Sequence, residues 1–202
     1  MKIKHLFLLL PFLCFLALRP VFYQSVSTTD VVSEKRELPF VIVICSYNNA
    51  KWVEKNLDSV RKQKYKNYRI IYVDDCSGDG TSRLVEEYIN KYNMQDKIIL
   101  IKNKFRHRKL NNIYNVFHSC KDNEIIVQLD GDDWFKSDQA LSVFNTTYLN
   151  GYWLVYGQFE FSKGGRGLCK AIPTSLVGES LFRSKVGISN FLCPRTFYAW
   201  LL

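Results

Sequence analysis

Ile125-Ile126-Val127-Gln128-Leu129-Asp130-Gly131-Asp132-Asp133 sets the frame for the whole chain. Its first half is apolar and rich in β-branched residues, the composition of a buried strand that stops at a polar rim. The second half packs three carboxylates into four residues, and such groups repel one another unless a cation lies among them. Hard oxygen donors around an open site suit Mg²⁺ or Mn²⁺, ions that commonly take phosphate oxygens as further ligands. An acidic turn leading into a helix cap would use the same residues, because Asp is favoured in both places. On this stretch alone the two readings stand level.

Two further stretches repeat the pattern. Pro39-Phe40-Val41-Ile42-Val43-Ile44-Cys45 is apolar and ends in Ser46-Tyr47-Asn48-Asn49. Arg69-Ile70-Ile71-Tyr72-Val73 ends in Asp74-Asp75 and the turn Cys76-Ser77-Gly78-Asp79-Gly80-Thr81. Polar clusters thus follow three strand candidates, each at a C-terminal strand end. Ligands of open α/β sheets bind in the crevice outside those ends.

Helical stretches separate the strands. Val53, Leu57 and Val60 share one face of a segment from Ala50 to Lys64. Leu84, Val85, Tyr88, Ile89 and Tyr92 form a stripe of helical period, with Thr81 as the expected N-cap. Lys97 to Ile101 is a third strand, Leu110, Ile113, Tyr114 and Phe117 mark a third helix, and Trp153 to Tyr156 is a further strand. This alternation predicts an α/β domain whose mostly parallel sheet is covered by helices on both faces. Ser162 to Gly167 reads as a loop.

The three polar strand ends, taken with their strands and in this order, resemble the family 2 glycosyltransferases over about residues 38 to 160. The resemblance implies the Rossmann-like GT-A fold, a nucleotide-diphospho-sugar donor (a UDP-sugar first among them) and a divalent metal, Mn²⁺ or Mg²⁺. It further implies transfer to an acceptor hydroxyl on a glycan, lipid or protein, with inversion at the anomeric carbon. In such enzymes the positions matching Cys45, Tyr47 and Asp75 line the nucleotide pocket, and Asp130 and Asp132 match the metal-holding D-x-D pair. Asp132 or Asp133 is expected as the direct metal ligand, with Asp130 nearer the sugar or ribose. Tyr47 and Asn48 could stack on and hydrogen-bond a base; in the plainer alternative Tyr47 packs and Asp75 caps the Ser77-Gly78 turn. Lys102, Lys104, Arg106, His107, Arg108 and Lys109 form a basic run, ordinarily a solvated face. Arg108 and Lys109 are its candidates for reaching a diphosphate, since both charge types suit phosphate. His107 and Trp134 are expected to be structural, Trp134 in the core.

Arg195-Thr196-Phe197-Tyr198 resembles the family segment that enters the acceptor half of the site, but Asn190 to Pro194 lacks the His that commonly precedes it. The family's carboxylate base has no counterpart here; Glu160 and Glu179 stand in unrelated contexts. The reading is therefore a domain from 39 to 202 that is C-terminally incomplete. A nucleotide-sugar-binding remnant without transferase activity is one alternative. A nucleotidyltransferase of related fold is another, although that class wants a Gly-rich basic loop after the first strand, and Ser46-Tyr47-Asn48-Asn49-Ala50 is not one.

Composition narrows the context. The chain has 202 residues, 47% hydrophobic and 15% aromatic, enough for one real core and too apolar for disorder. A net charge of +9 points to an anionic partner such as a phosphate-bearing substrate or a membrane surface. No nucleic-acid-binding signature accompanies that charge, so nucleic acid is not expected. Leu6 to Leu18 is apolar throughout apart from Pro11 and follows Lys2, Lys4 and His5. With Val21, Phe22 and Tyr23 it reads as a signal-anchor of marginal spanning length; the lack of a small-residue cleavage motif puts a cleaved signal peptide second. Residues 24 to 38 are polar and unperiodic, a stem. The six cysteines have no zinc spacing, and Cys45 and Cys76 are expected as small apolar fillers.

Overall fold

The computed structural model describes residues 36–152, 154–157, 159–164, 166–167 and 195–199. The expected anchor, most of the stem, Glu179 and Asn190 to Pro194 lie outside the described residues. Eight strands are described, β1 (Phe40–Ser46), β2 (Tyr68–Asp74), β3 (Ile98–Lys102), β4 (Ile125–Asp130), β5 (Leu154–Tyr156), β6 (Phe159–Glu160), β7 (Arg166–Gly167) and β8 (Arg195–Tyr198). The helices are α1 (Val53–Arg61), preceded by a 3-10 turn at Ala50–Trp52, α2 (Thr81–Tyr92), α3 (Arg108–Phe117) and α4 (Ala140–Leu149).

Six strands form one sheet in the order β3-β2-β1-β4-β8-β5. The first four run parallel, as the strand–helix alternation predicts. β8 then enters antiparallel between β4 and β5. Period-two alternation within the parallel strands divides the core. Phe40, Ile42 and Ile44 of β1, with Ile70 and Tyr72 of β2 and Ile125, Val127 and Leu129 of β4, pack against α1, α2 and α4. Val41, Val43, Ile71, Val73 and Ile126 face the other way, against Val116 and Phe117 of α3. Strands buried on both faces explain the nearly unbroken apolar runs. At the opposite end of the sheet from the polar clusters, Arg69 makes a two-pronged ion pair with Glu124, both contacts 2.8 Å, spanning β1.

Several expectations change. Thr81 is the first residue of α2 and not its cap; Gly80 takes that position at φ 88°, and the Asp79 carboxylate accepts the Thr81 N–H at 3.0 Å. α4 was not foreseen, because its apolar residues show little helical asymmetry. The stretch read as a loop from Ser162 closes a short hairpin, with Glu160 paired to Arg166 and Phe159 to Gly167 around a turn with Gly164 at φ 93°. α3 forms where its apolar stripe lies, yet Leu110 and Tyr114 are 81% and 62% exposed. The helix is rotated so that Lys109 and Asn112 face the sheet end, where both find polar partners, while Val116 and Phe117 fill the core. Cys76 is exposed and in the left-handed region at φ 65°, so it is a turn residue and not a filler.

Candidate active site

Parallel register brings the three polar strand ends to one edge, with Ser46 beside Asp74 and Cys45 beside Asp130. Gly131 makes this approach close enough, since a Cβ there would lie 2.8 Å from Ser46 Cβ and 2.6 Å from Ser46 Oγ. A cavity of about 580 Å³ opens at this edge. Of the residues expected from sequence, Cys45, Tyr47, Asp75, Arg108, Lys109, Asp130 and Asp132 line it.

Each wall has a local cause. Asp74 accepts from both the backbone N–H and the hydroxyl of Ser77, fixing the turn after β2. That frees the next residue, Asp75, to point into the basic loop. Asp75 is buried, and it accepts from Asn103 Nδ2 at 2.9 Å, the His107 N–H at 2.7 Å and the Arg108 N–H at 2.8 Å. Burial alone would raise its pKa, but the surrounding amides of Asn112 and Asn103 and the two backbone N–H groups hold it below the ordinary carboxylate value. The Asn112 amide nitrogen is close to this carboxylate yet makes no hydrogen bond of proper geometry. So Asp75 does not cap the Ser77-Gly78 turn; it orders the loop that carries the basic run.

Arg106 places its guanidinium 3.8 Å from the centroid of the Tyr47 ring, a stacked pair at the cavity wall. In the same cavity the Lys109 ammonium bridges both oxygens of Asp130 at 2.6 Å. Cys45 lies between these charges; burial pushes its thiol up to about 12, with Asp130 and Asp75 adding and Lys109 opposing, so it stays a neutral lining group.

The structure does not bring Asn48 or Asp133 into the cavity lining. Asn48, at φ 53°, accepts the Gly78 N–H at 3.0 Å and donates its own N–H to Ser77 Oγ at 2.9 Å, tying the β1 end to the β2 turn. Trp134 is not a core residue; it is half-buried, 5.6 Å from the Trp52 ring, with Lys55 Nζ 3.5 Å from its centroid. The loop that carries the carboxylates is braced from α1, where Asn56 Nδ2 donates to the carbonyls of Asp130 and Asp133 at 2.9 and 2.7 Å. Sequence reasoning missed Ser46, Asn49, Arg106 and Asn112 as lining residues. Asn112 left one legible trace, an amide on the face of a helix that otherwise enters the core.

The carboxylates suit a divalent ion. Asp130 and Asp132 offer hard oxygens to the cavity, and Asp133, exposed beside them, has its pKa raised, first by the protein packed near its carboxyl and then by the charges of Asp130 and Asp132. Mutual repulsion of this kind is relieved by a cation. Among the described residues no three His, Cys, Asp or Glu side chains converge closely enough to hold a metal by themselves. Substrate or water oxygens would have to complete the shell, the usual state of a Mg²⁺-type site.

Residues 41–197 match the family described as Glycosyl transferase family 2. The chain belongs to that family. The amylovoran biosynthesis glycosyltransferase AmsB of Erwinia amylovora is 30% identical over 151 residues, 71% of this chain and 48% of AmsB. The poly(ribitol-phosphate) beta-N-acetylglucosaminyltransferase TarS of Staphylococcus aureus is 35% identical over 60 residues, 29% of this chain and 10% of TarS. The chain therefore spans at most about half the length of these relatives. Among solved structures, residues 1–349 of S. aureus TarS superpose with a TM-score of 0.60 at 18% identity, covering 82% of this chain and 48% of that one. The mannosyltransferase PcManGT of Pyrobaculum calidifontis, in complex with GDP-Man and Mn²⁺, gives 0.54 at 19% identity, covering 64% of this chain and 37% of that one. At these identities the likeness speaks to the GT-A fold. Among the described residues no helix is long and apolar enough to cross a membrane.

Proposed function

We propose that this family 2 glycosyltransferase binds a nucleotide-diphospho-sugar in the cavity at the ends of β1, β2 and β4, and passes the sugar to an acceptor hydroxyl with inversion. The observation that carries the reading is the convergence, in one cavity, of the Tyr47–Arg106 stack, two further basic residues, Arg108 and Lys109, and the carboxylate pair Asp130 and Asp132. These three chemistries match the three parts of such a donor. A planar base fits against Tyr47 and Arg106, with Cys45 and Asp75 lining the same cavity. Arg108 and Lys109 suit the diphosphate, Arg as a fork and Lys as a point charge.

Asp132 is the residue we assign to hold a divalent ion, Mn²⁺ or Mg²⁺, with Asp130 beside it. When bound, such an ion would offset the charge that builds on the departing nucleoside diphosphate. Lys109 already plays a related electrostatic part by neutralising Asp130, and a diphosphate entering the cavity would compete for its ammonium. A UDP-sugar is the first donor to test, since TarS has been solved with UDP-GlcNAc. The test is calorimetric titration with UDP and GDP, with and without Mn²⁺. Saturable binding that strengthens with Mn²⁺ supports the assignment; no binding of either nucleotide under both conditions refutes it.

A further inference from the structure

Between Asp96 and Asp122 the chain has no acidic residue, while it carries seven Lys or Arg, at 97, 102, 104, 106, 108, 109 and 121. Lys102 is paired with Glu86 and Lys109 with Asp130, both across short distances. The other five make no salt bridge among the described residues, although Lys97 donates to the carbonyls of Lys66 and Tyr68 and Arg106 stacks on Tyr47. The same segment concentrates exposed apolar surface. Nine large hydrophobic residues are exposed among the described residues, and five of them, Ile99, Ile101, Phe105, Leu110 and Tyr114, fall here. Phe105 is 75% exposed and sits between Lys104 and Arg106, at the tip of the connection from β3 to α3.

The fold explains why this surface is uncovered. β3 is the edge strand, and Ile99 and Ile101 pair with Ile71 and Val73, whose side chains face the α3 side of the sheet. The α3 side chains in that core, Val116 and Phe117, pack with residues of β1, β2 and β4, and none of β3 joins them. Ile99 and Ile101 are thus left at the margin, 50% and 39% exposed. Leu110 and Tyr114, one turn apart on α3, were turned outward by the rotation that serves the cavity. Phe105, exposed between Lys104 and Arg106 on a stretch of chain without acidic residues, complements a surface that is anionic and has an apolar interior.

We propose that the 97–121 segment is a peripheral membrane-docking face for leaflets that carry anionic headgroups, with Phe105 entering the interface and the neighbouring Lys and Arg meeting the headgroups. It is separate from the N-terminal apolar stretch, and because Arg106, Arg108 and Lys109 of the same segment line the cavity, docking would hold the cavity mouth against the membrane surface. A lipid-borne acceptor is the substrate class such an orientation favours. The docking contacts that do not depend on the donor assignment are those of Lys104, Phe105 and Leu110, which lie outside the cavity lining.

Hydrogen-exchange mass spectrometry on the full chain gives a readout local to this face, whatever the N-terminal stretch does. We expect exchange across 97–117 to slow with phosphatidylglycerol-containing vesicles and to be unchanged with phosphatidylcholine vesicles alone. In Phe105→Asp/Leu110→Asp that protection should be lost, while exchange in β1 and β2 and UDP binding stay as in the parent. Unaltered exchange in 97–117 on chain that has been recruited to anionic vesicles overturns the proposal. So does protection that grows with protein concentration in the absence of lipid, which would make this face a contact between copies. If the double variant unfolds, Lys104→Glu takes its place with the same expected loss and the same overturning result.

Discussion

Gly131→Ala tests the close contact on which the cavity floor depends. Gly131 is buried directly after β4, with Ser46 and Asn49 of the neighbouring strand end above its Cα. An added Cβ would meet Ser46 Oγ at 2.6 Å, Asn49 Nδ2 at 2.8 Å and Ser46 Cβ at 2.8 Å. The Asn49 amide is the tip of a side chain and can swing away. Ser46 Cβ cannot, because Ser46 is the last residue of β1 and is held in register with Asp74. The strand ends must therefore separate, and overpacking of this kind costs about 1 to 3 kcal/mol. In a chain of this size each kcal/mol moves Tm by about 2 to 4 °C, so a fall of about 2 to 12 °C is expected. Nucleotide affinity should fall too, because the displaced Ser46 and Asn49 line the cavity. Gly78→Ala is the control: a Cβ there meets nothing within 4 Å, and its φ is not positive. Scanning calorimetry of the parent and both variants, with UDP titration of each, provides the comparison. If Gly131→Ala melts with the parent and binds UDP equally well, the strand ends are not in the contact described.

Asp132→Asn should weaken UDP binding measured with Mn²⁺ and leave the metal-free protein as stable as the parent or slightly more so; superimposable titration curves with Mn²⁺ would remove Asp132 from the metal site. Asp75→Ala strips three donors of their acceptor, so it should lower stability by about 1 to 3 kcal/mol, the range for orphaned buried groups, and free the 103–108 loop, seen as faster hydrogen exchange there. Asp58 has its pKa lowered from 3.8 to about 2, because Lys62, Tyr88 and Arg61 outweigh its partial burial. A depressed carboxylate stabilises the fold above its unfolded pKa and loses that contribution as pH falls through the folded value. Asp58→Asn should therefore be less stable than the parent by about 1 to 2 kcal/mol near neutral pH, with the gap closing between about pH 4 and pH 2 in denaturant titrations. A gap independent of pH would mean that packing, not charge, sets the Asp58 contribution.

The parts of the fold legible in the sequence are those set by neighbours along the chain. Apolar runs of β1, β2 and β4 and the stripe of α2 follow from local periodicity, and a polar cluster after each strand marks its solvent end. Parallel order then follows from the helices between them, so the meeting of Asp75, Asp130 and Asp132 at one edge could be foreseen. α4 and the β6–β7 hairpin left weaker traces, the first because its apolar residues do not favour one face, the second because its strands have two residues each.

What the sequence by itself determined, then, is the α/β class, the strand ends that carry the chemistry, and membership of a family whose motifs lie in that order. Tertiary structure alone decided the placement of β8 between β4 and β5, since its partners are drawn from residues tens of positions away. It also decided that Arg106 stacks on Tyr47 and that Asn48 fastens a turn. Leu110 and Tyr114 show the same division, because an apolar stripe normally turns inward, yet here Lys109 and Asn112 turn α3 toward the cavity. Buried polar groups need specific partners, whereas apolar ones need only cover, so where the two conflict the rotation of a helix is set by the polar contacts it can complete.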